Sequence, residues 1–220
     1  MCLAFAAEGA RDVPRSTLHW VRRAIAAPAS VGQTRPVGAE SDKSALTALL
    51  VPVPAADPVV STHRQSLDPS ARWGVPAHVT LLFPFLPPSQ VSYSVVVRID
   101  NALSALTAID FSLERTGWFD DQVLWLAPHP DDPFRRLIQI LCDAFPECPP
   151  YGGAFGEPVP HLTIGDRSGG ASRADLQAAE SAVASRLPVR ATADTIVLMT
   201  GRREPGSWQT THAFSLGRSH

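Results

Sequence analysis

The sequence has few cysteines, almost no excess charge and no long apolar run. Its three cysteines, Cys2, Cys142 and Cys148, form an odd, widely spaced set without a C-x-x-C pair, which fits neither a disulfide framework nor a zinc site. The formal net charge of -2 gives no general attraction for a polyanion, so duplex nucleic acid is not an expected partner. No stretch approaches the ~20 apolar residues of a membrane helix, and the first residues lack the basic segment of a signal peptide. We therefore expect a soluble, cytoplasmic protein with no membrane partner.

Motifs of several common enzyme classes are also missing. The sequence contains no H-E-x-x-H or H-x-H cluster for a metal and no G-x-S-x-G elbow. The glycine-rich stretch at residues 151–156 lacks the spacing and the lysine of a phosphate-binding P-loop. We expect neither a metal nor another cofactor. Nothing in the sequence indicates an oligomer, and a monomer is the expectation.

Residues 1–43 differ in composition from the rest of the chain. Proline, glycine, alanine and serine interrupt every apolar period there, which predicts a mostly disordered N-terminal extension. From residue 44 to residue 217, strand-like and helix-like segments follow one another regularly, which predicts a single folded domain.

The predicted order of elements in this domain is strand, helix, strand, helix, hairpin, helix, strand, helix, hairpin. Frequent hairpins and an interrupted βαβ rhythm indicate an α+β fold with largely antiparallel sheets. The strands are predicted at residues 45–53, 77–85, 111–115, 123–127, 192–200 and 207–216, with a further strand from residue 161. The helices are predicted at residues 57–67, 89–106, 132–145 and 172–183. Three of these helix starts carry capping signals, which are Asp57-Pro58, Asp132-Pro133 and Ser172-x-x-Asp175.

Two tripeptides share the pattern His-x-Thr and stand 83 residues apart in corresponding halves of the chain. They are His78-Val79-Thr80 and His161-Leu162-Thr163. Each has a proline just upstream and aliphatic residues after it. On a strand, residues i and i+2 point to the same face, so each histidine is expected to lie beside its threonine while the residue between them faces the core.

Such a pair provides what cleavage of a phosphodiester needs without a metal. One neutral imidazole takes a proton from the attacking water, and a second, protonated imidazole gives a proton to the leaving oxygen. An unperturbed pKa of about 6.5 lets histidine serve in either form near neutral pH. The threonine hydroxyls can donate to the phosphate oxygens, where negative charge must be stabilised. His78 and His161 are the candidate catalytic residues, and Thr80 and Thr163 the candidate phosphate-binding residues.

Two alternatives stay open at this point. The same groove could bind a nucleotide or an RNA end without turnover, or both histidines could be structural residues satisfied by hydrogen bonds. A single His-x-Thr is usually structural, and it is the matched pair that favours the enzyme. Among aromatic residues near the motifs, Phe155 and Trp208 are the candidates to stack on a substrate base.

The sequence resembles the 2H phosphoesterase superfamily and, within it, the 2'-5' RNA ligase family. The resemblance depends on residues 74–85, 160–165 and 208–217 and extends over about residues 44–217. It implies a two-lobed α+β fold with pseudo-twofold symmetry, in which helices flank largely antiparallel sheets. It also implies cleavage of 2',3'-cyclic phosphates, or of related cyclic or 2'-5' phosphodiesters of nucleotides or RNA ends, sometimes with the reverse 2'-5' ligation. The family's pattern would make His78 the general acid and His161 the general base.

The chain departs from one branch of this family just after the second motif. RNA-ligase-type members often carry an arginine there, whereas this chain has Asp166 followed by Arg167. A smaller nucleotide or an ADP-ribose-derived cyclic phosphate therefore stays open as the substrate.

Overall fold

The computed structural model describes residues 45–150 and 158–217. The predicted extension at residues 1–43 and the stacking candidate Phe155 lie outside the described residues.

The described part of the chain contains two antiparallel sheets of four strands each. Its strands are β1 (Leu46–Pro52), β2 (His78–Leu82), β3 (Ile109–Phe119), β4 (Val123–His129), β5 (Leu162–Asp166), β6 (Val189–Ala193), β7 (Thr195–Gly201) and β8 (Gln209–Ser215). The first sheet has the order β2-β1-β7-β8, and the second has the order β5-β4-β3-β6. The strands that begin with or follow the two His-x-Thr histidines, β2 and β5, are thus edge strands of different sheets.

The helices pack across the boundary between the two sheets. They are α1 (Asp57–Leu67), α2 (Pro69–Arg72), α3 (Tyr93–Leu103), α4 (Asp132–Ala144) and α5 (Arg173–Ala184). Helix α1 connects β1 to β2 in the first sheet but packs against β5 of the second, and α4 connects β4 to β5 in the second sheet but packs against β2 of the first. We call each sheet, with the helix that connects its inner strand to its His-x-Thr strand, a lobe: the first lobe contains α1 and the second contains α4. The exchange of these helices gives the two lobes a pseudo-twofold relation and holds β2 next to β5. Within residues 45–150 and 158–217, no helix has the length and apolar surface that a bilayer crossing requires.

Alternate residues of the strands divide between a main core and a second face. Val79 and Leu162 are fully buried in the main core, which lies between the sheets and the helices. The opposite face of each sheet, called here the open face, carries a smaller apolar cluster, which includes Leu50 and Trp208 on the first sheet and Trp125 on the second. Both sheets therefore bury side chains on two faces, which explains their runs of apolar residues.

The α+β fold with antiparallel sheets is confirmed, and two segments are divided differently from the prediction. The segment at residues 192–200 was predicted as one strand but contains the end of β6 and most of β7, which belong to different sheets and are separated by Asp194. The helix predicted from residue 89 begins at Tyr93, because Pro88–Gln90 form a separate 3-10 turn. Apolar spacing alone does not reveal either break.

Two of the three predicted helix caps are wrong. Ser172 and Asp175 form the predicted capping box at the start of α5. At α1 and α4 the predicted caps Asp57 and Asp132 are instead the first helical residues, and no side-chain cap bond is made. Each helix begins one residue earlier than predicted, so the capping position of α1 is Ala56, which has no side-chain acceptor, and that of α4 is Asp131, whose carboxylate binds Arg135 instead.

Candidate active site

The two His-x-Thr tripeptides have the same alternation of burial. His78 and Thr80 are half-buried on β2, and the residue between them is fully buried. His161 and Thr163 repeat this pattern, with His161 lying one residue before the start of β5. Each histidine therefore shares the open face of its sheet with the threonine two residues later.

The structure brings the two motifs together. Strands β2 and β5 are in contact, although they belong to different sheets. His161 lies close enough to His78 for its charge to lower the pKa of His78. The two motifs thus lie on strands that contact each other, with their histidines within electrostatic range.

Backbone carbonyls define the proton positions on both imidazoles. Nδ1 of His78 lies 2.7 Å from the carbonyl oxygen of Pro76, and Nδ1 of His161 lies 2.7 Å from that of Val159. A carbonyl oxygen can only accept, so Nδ1 donates in both cases. The neutral form of each ring therefore has its lone pair on Nε2. In His78 this nitrogen lies 3.1 Å from the Thr80 hydroxyl, which donates to it.

Both imidazoles are poorer bases in the free site than histidine in water. Burial, followed by the nearby charge of Arg64, lowers the pKa of His78 to about 4. Burial also lowers the pKa of His161, while its bond to the Val159 carbonyl opposes the shift. Near neutral pH, the free site therefore contains two neutral histidines with their lone pairs on Nε2, and that of His78 accepts from Thr80.

Two aromatic rings that sequence reasoning missed lie against His161. The ring centroid of Phe119 is 4.8 Å from that of His161 in an edge-on arrangement, and that of Trp125 is 6.1 Å away. Trp125 on β4 is the cross-strand partner of Thr163, so the pairing of these two strands places it on the open face. The hairpin of β3 and β4 was predicted from the sequence, but the pairing of β4 with β5 was not. The register of that pairing is what identifies Trp125 as a neighbour of Thr163.

The stacking candidate that lies within the described residues, Trp208, is mostly buried. It is 6% exposed, and its ring centroid is 6.3 Å from that of Phe83. It packs tightly over Gly201, where an added Cβ would come within 2.5 Å of Trp208 Cγ. Stacking of a base on Trp208 stays a prediction.

The two charged residues that follow the second motif are engaged locally. Arg167 Nη1 lies 2.8 Å from Asp121 Oδ2, and Asp166 Oδ1 accepts from the backbone N–H of Ser168 at 2.7 Å. Burial raises the pKa of Asp166. Neither residue is bonded to the paired histidines within the described residues.

The fold and the paired motifs define the chain as a 2H phosphoesterase, with one His-x-Thr on each of two adjoining antiparallel sheets. It belongs to the 2'-5' RNA ligase superfamily, whose family model matches residues 51–205. This confirms the family resemblance seen in the sequence.

Several solved structures share the fold at low sequence identity. The protein TT0787 of Thermus thermophilus has 19% identity and a TM-score of 0.56, with 80% of this chain and 100% of that one covered. Escherichia coli LigT has 17% identity and a TM-score of 0.51 in its apo form, with 79% and 98% covered. The complex of LigT with NADP+ has 16% identity, a TM-score of 0.51 and the same coverage. No curated protein matches the chain significantly.

Proposed function

We propose that the protein is a metal-independent phosphodiesterase that opens 2',3'-cyclic phosphates, or related cyclic or 2'-5' phosphodiesters, of nucleotides or RNA ends. The observation that supports this most is the matched pair of imidazoles. Both bind a backbone carbonyl through Nδ1, so that Nε2 is the proton-accepting nitrogen of both neutral rings, and both stand beside a threonine hydroxyl. Two structural histidines would not need the same orientation in two different sheets.

In the proposed reaction, one imidazole acts as the base and the other as the acid. Nε2 of the base takes a proton from water as the water oxygen forms a bond to phosphorus. The bond from phosphorus to one ribose oxygen breaks, and the acid's Nε2–H gives that oxygen its proton. The product is a phosphomonoester with a free hydroxyl. Each positioned proton transfer typically contributes about 10²–10⁴-fold to the rate.

Substrate binding must supply the acid, since both histidines are neutral in the free site near pH 7. The negative charge of a bound phosphodiester favours the protonated form of a nearby imidazole and so raises its pKa. The family's pattern assigns the acid to His78, whereas the adjacent charge of Arg64 makes protonation of His78 unfavourable. If His78 is the acid, the bound anion must therefore lie close enough to His78 to outweigh the effect of the Arg64 charge on its pKa.

The threonines are the proposed donors to the non-bridging oxygens. Thr80 already bonds His78 in the free site, and its hydroxyl can rotate toward a phosphate oxygen once Nε2 is protonated and can no longer accept. Thr163 stands in the equivalent position beside His161. The reverse reaction, 2'-5' ligation, would use the same four groups.

The test is a panel of 2',3'-cyclic nucleotides, ADP-ribose-derived cyclic phosphates and 2'-5' oligonucleotides, incubated with EDTA-treated protein. We expect turnover of at least one cyclic phosphate, with the product identified by mass, and no loss of rate with EDTA. Loss of activity with EDTA and its recovery with added metal would contradict the proposal.

The low pKa of His78 favours one alternative, a non-catalytic module that binds a nucleotide or an RNA end in the same place. Such a module needs hydrogen-bond partners but no proton donor. Stoichiometric binding of a cyclic nucleotide, with no product after long incubation, would support this alternative over the enzyme.

A further inference from the structure

Two arginines that are not part of the His-x-Thr motifs bind the backbone just before each of them. Arg64 on α1 donates to the carbonyl oxygen of Val75, and Arg135 on α4 donates to that of Pro158. In both lobes this carbonyl lies three residues before the histidine. Each arginine belongs to the helix that connects the lobe's inner strand to its motif strand.

The first arginine is almost completely buried. Arg64 is 4% exposed, and both its Nη atoms lie 3.4 Å from the oxygen of Val75. Its Nε and Nη2 both point at Oδ2 of Asp68, at 3.1 and 2.8 Å. Asp68 thus holds the guanidinium in place while the remaining N–H groups reach the backbone.

The second arginine makes the same two kinds of contact, one with an aspartate and one with a backbone carbonyl. Nε and Nη2 of Arg135 lie 3.0 and 2.9 Å from Oδ2 of Asp131, and Nη1 lies 3.1 Å from the oxygen of Pro158. In the first lobe the aspartate follows the arginine by four residues, and in the second it precedes it by four. The two lobes therefore reach the same contact from different positions on their helices.

Prolines in the segments before His78 and His161 explain why an arginine side chain stabilises these segments. Pro76 in the first lobe, and Pro158 and Pro160 in the second, have no backbone N–H. These segments therefore have fewer backbone donors with which to anchor themselves to neighbouring strands. Their carbonyls still need partners, and a guanidinium supplies several donors in a fixed plane.

The next carbonyl along the chain fixes the orientation of the histidine ring. In each lobe, the carbonyl held by the arginine is followed by the one that accepts from Nδ1 of the histidine. A shift of the segment would move this acceptor and turn the imidazole away from the open face. We propose that Arg64 and Arg135 are positioning residues, each of which fixes the tautomer and direction of its lobe's histidine through the backbone.

Two other ion pairs of the described residues lack this contact. Arg98 pairs with Glu147, and Arg167 pairs with Asp121, both on partly exposed surfaces. Within the described residues, neither arginine bonds the segments before His78 and His161. Arg64 and Arg135 thus share a contact with the histidine's own segment that these two ion pairs lack.

The decisive experiment uses Arg135, because its side chain is 30% exposed and its loss leaves the fold intact more readily than loss of Arg64. Arg135→Met removes the donors, and Arg135→Lys keeps one charged donor. Arg136→Met, at the exposed neighbour on the same helix, is the matched control. The readouts are kcat and KM on the cyclic phosphate, and the ring ¹⁵N shifts of His161, which distinguish its tautomers. Thermal unfolding checks that each variant is folded.

We expect Arg135→Met to lower kcat by about 10- to 100-fold, since loss of a group that orients a functional side chain commonly costs this much. KM should change by less than about threefold, because the arginine does not touch the substrate. The His161 signals should change from the Nδ1–H form to a mixture of tautomers. Arg135→Lys should recover part of both effects, and Arg136→Met should show neither.

The inference rests on the proposed function, but the two fail in different ways. If the wild type has no turnover, the proposed function fails, and the ring ¹⁵N shifts still test the positioning. If the wild type turns over and Arg135→Met keeps both its kcat and the Nδ1–H form of His161, the positioning role is wrong. A folded Arg135→Met with a mixed tautomer supports it in either case.

Discussion

At the scale of single residues, the balance of groups around His78 favours its neutral form. Burial and the charge of Arg64 oppose a second proton and outweigh the Pro76 carbonyl and Asp68, which favour it, while Nε2 of the neutral ring accepts from Thr80. An imidazole in this setting is a ready hydrogen-bond acceptor. In the proposed reaction it becomes an acid only when an anion arrives beside it, which would link protonation of the site to substrate binding.

This linkage predicts how His78 titrates and how the protein responds to acid. In NMR titrations of the free protein, His78 should stay neutral until the pH falls to about 4, and a bound phosphate should raise its pKa. In the unfolded chain the pKa of histidine is about 6.5, so between these values the unfolded state binds more protons. The contribution of His78 to stability is therefore complete above pH 6.5 and is lost as the pH falls toward 4.

The control for this prediction is His78→Asn, which keeps a polar side chain but does not titrate. The variant should show a smaller decrease in the free energy of unfolding between pH 6.5 and pH 4 than the wild type. Equal decreases in the two proteins would mean that His78 titrates alike in the folded and unfolded states.

At the scale of elements, the exchange of helices between the lobes depends on close packing at β5. Helix α1 of the first lobe lies on this strand at Gly165, where an added Cβ would come within 2.9 Å of Leu67 Cβ and closer still to Leu176 of α5. A side chain at this position would push two helices away from the strand that follows His161. The glycine is therefore needed for the lobes to approach each other.

Gly165→Ala is accordingly predicted to lower the free energy of unfolding by roughly 1–3 kcal/mol, the usual cost of overpacking a well-packed core. Denaturant unfolding measures this. Gly217→Ala is the matched control, because its Cβ would meet nothing closer than 3.4 Å. A loss of the same size in both variants would show that the helix contact at Gly165 is not responsible, since the lower entropy of the unfolded chain favours the folded state in both.

Local patterns in the sequence predicted most of these elements but not how they meet. The apolar period of α4 and the alternation on β2 follow from each segment's own residues. The division of residues 192–200 between two sheets depends on pairing with β3 and β1, which lie far away in the chain. The spacing of four between Arg64 and Asp68 is readable as a helical ion pair, but the reach of the arginine to Val75 requires the folded loop.

At the scale of the whole molecule, each lobe supplies half of the proposed site. The first lobe provides His78 with Thr80, the second provides His161 with Thr163, and the contact of β2 with β5 joins them. With a formal net charge of -2, the chain offers no broad positive field to attract a polyanion. Recognition of a phosphodiester must therefore come from these local groups, which suits a small substrate or a single end better than a long duplex.

The central claim is that one histidine from each lobe acts in the same reaction, and steady-state rates of His78→Ala, His161→Ala and the double variant test it most directly. Each single variant should lose about 10²–10⁴-fold in kcat on a cyclic phosphate that the wild type opens. Since groups that act as a unit are not additive, the double variant should lose little more than the worse single variant. Wild-type turnover in either single variant would contradict the account.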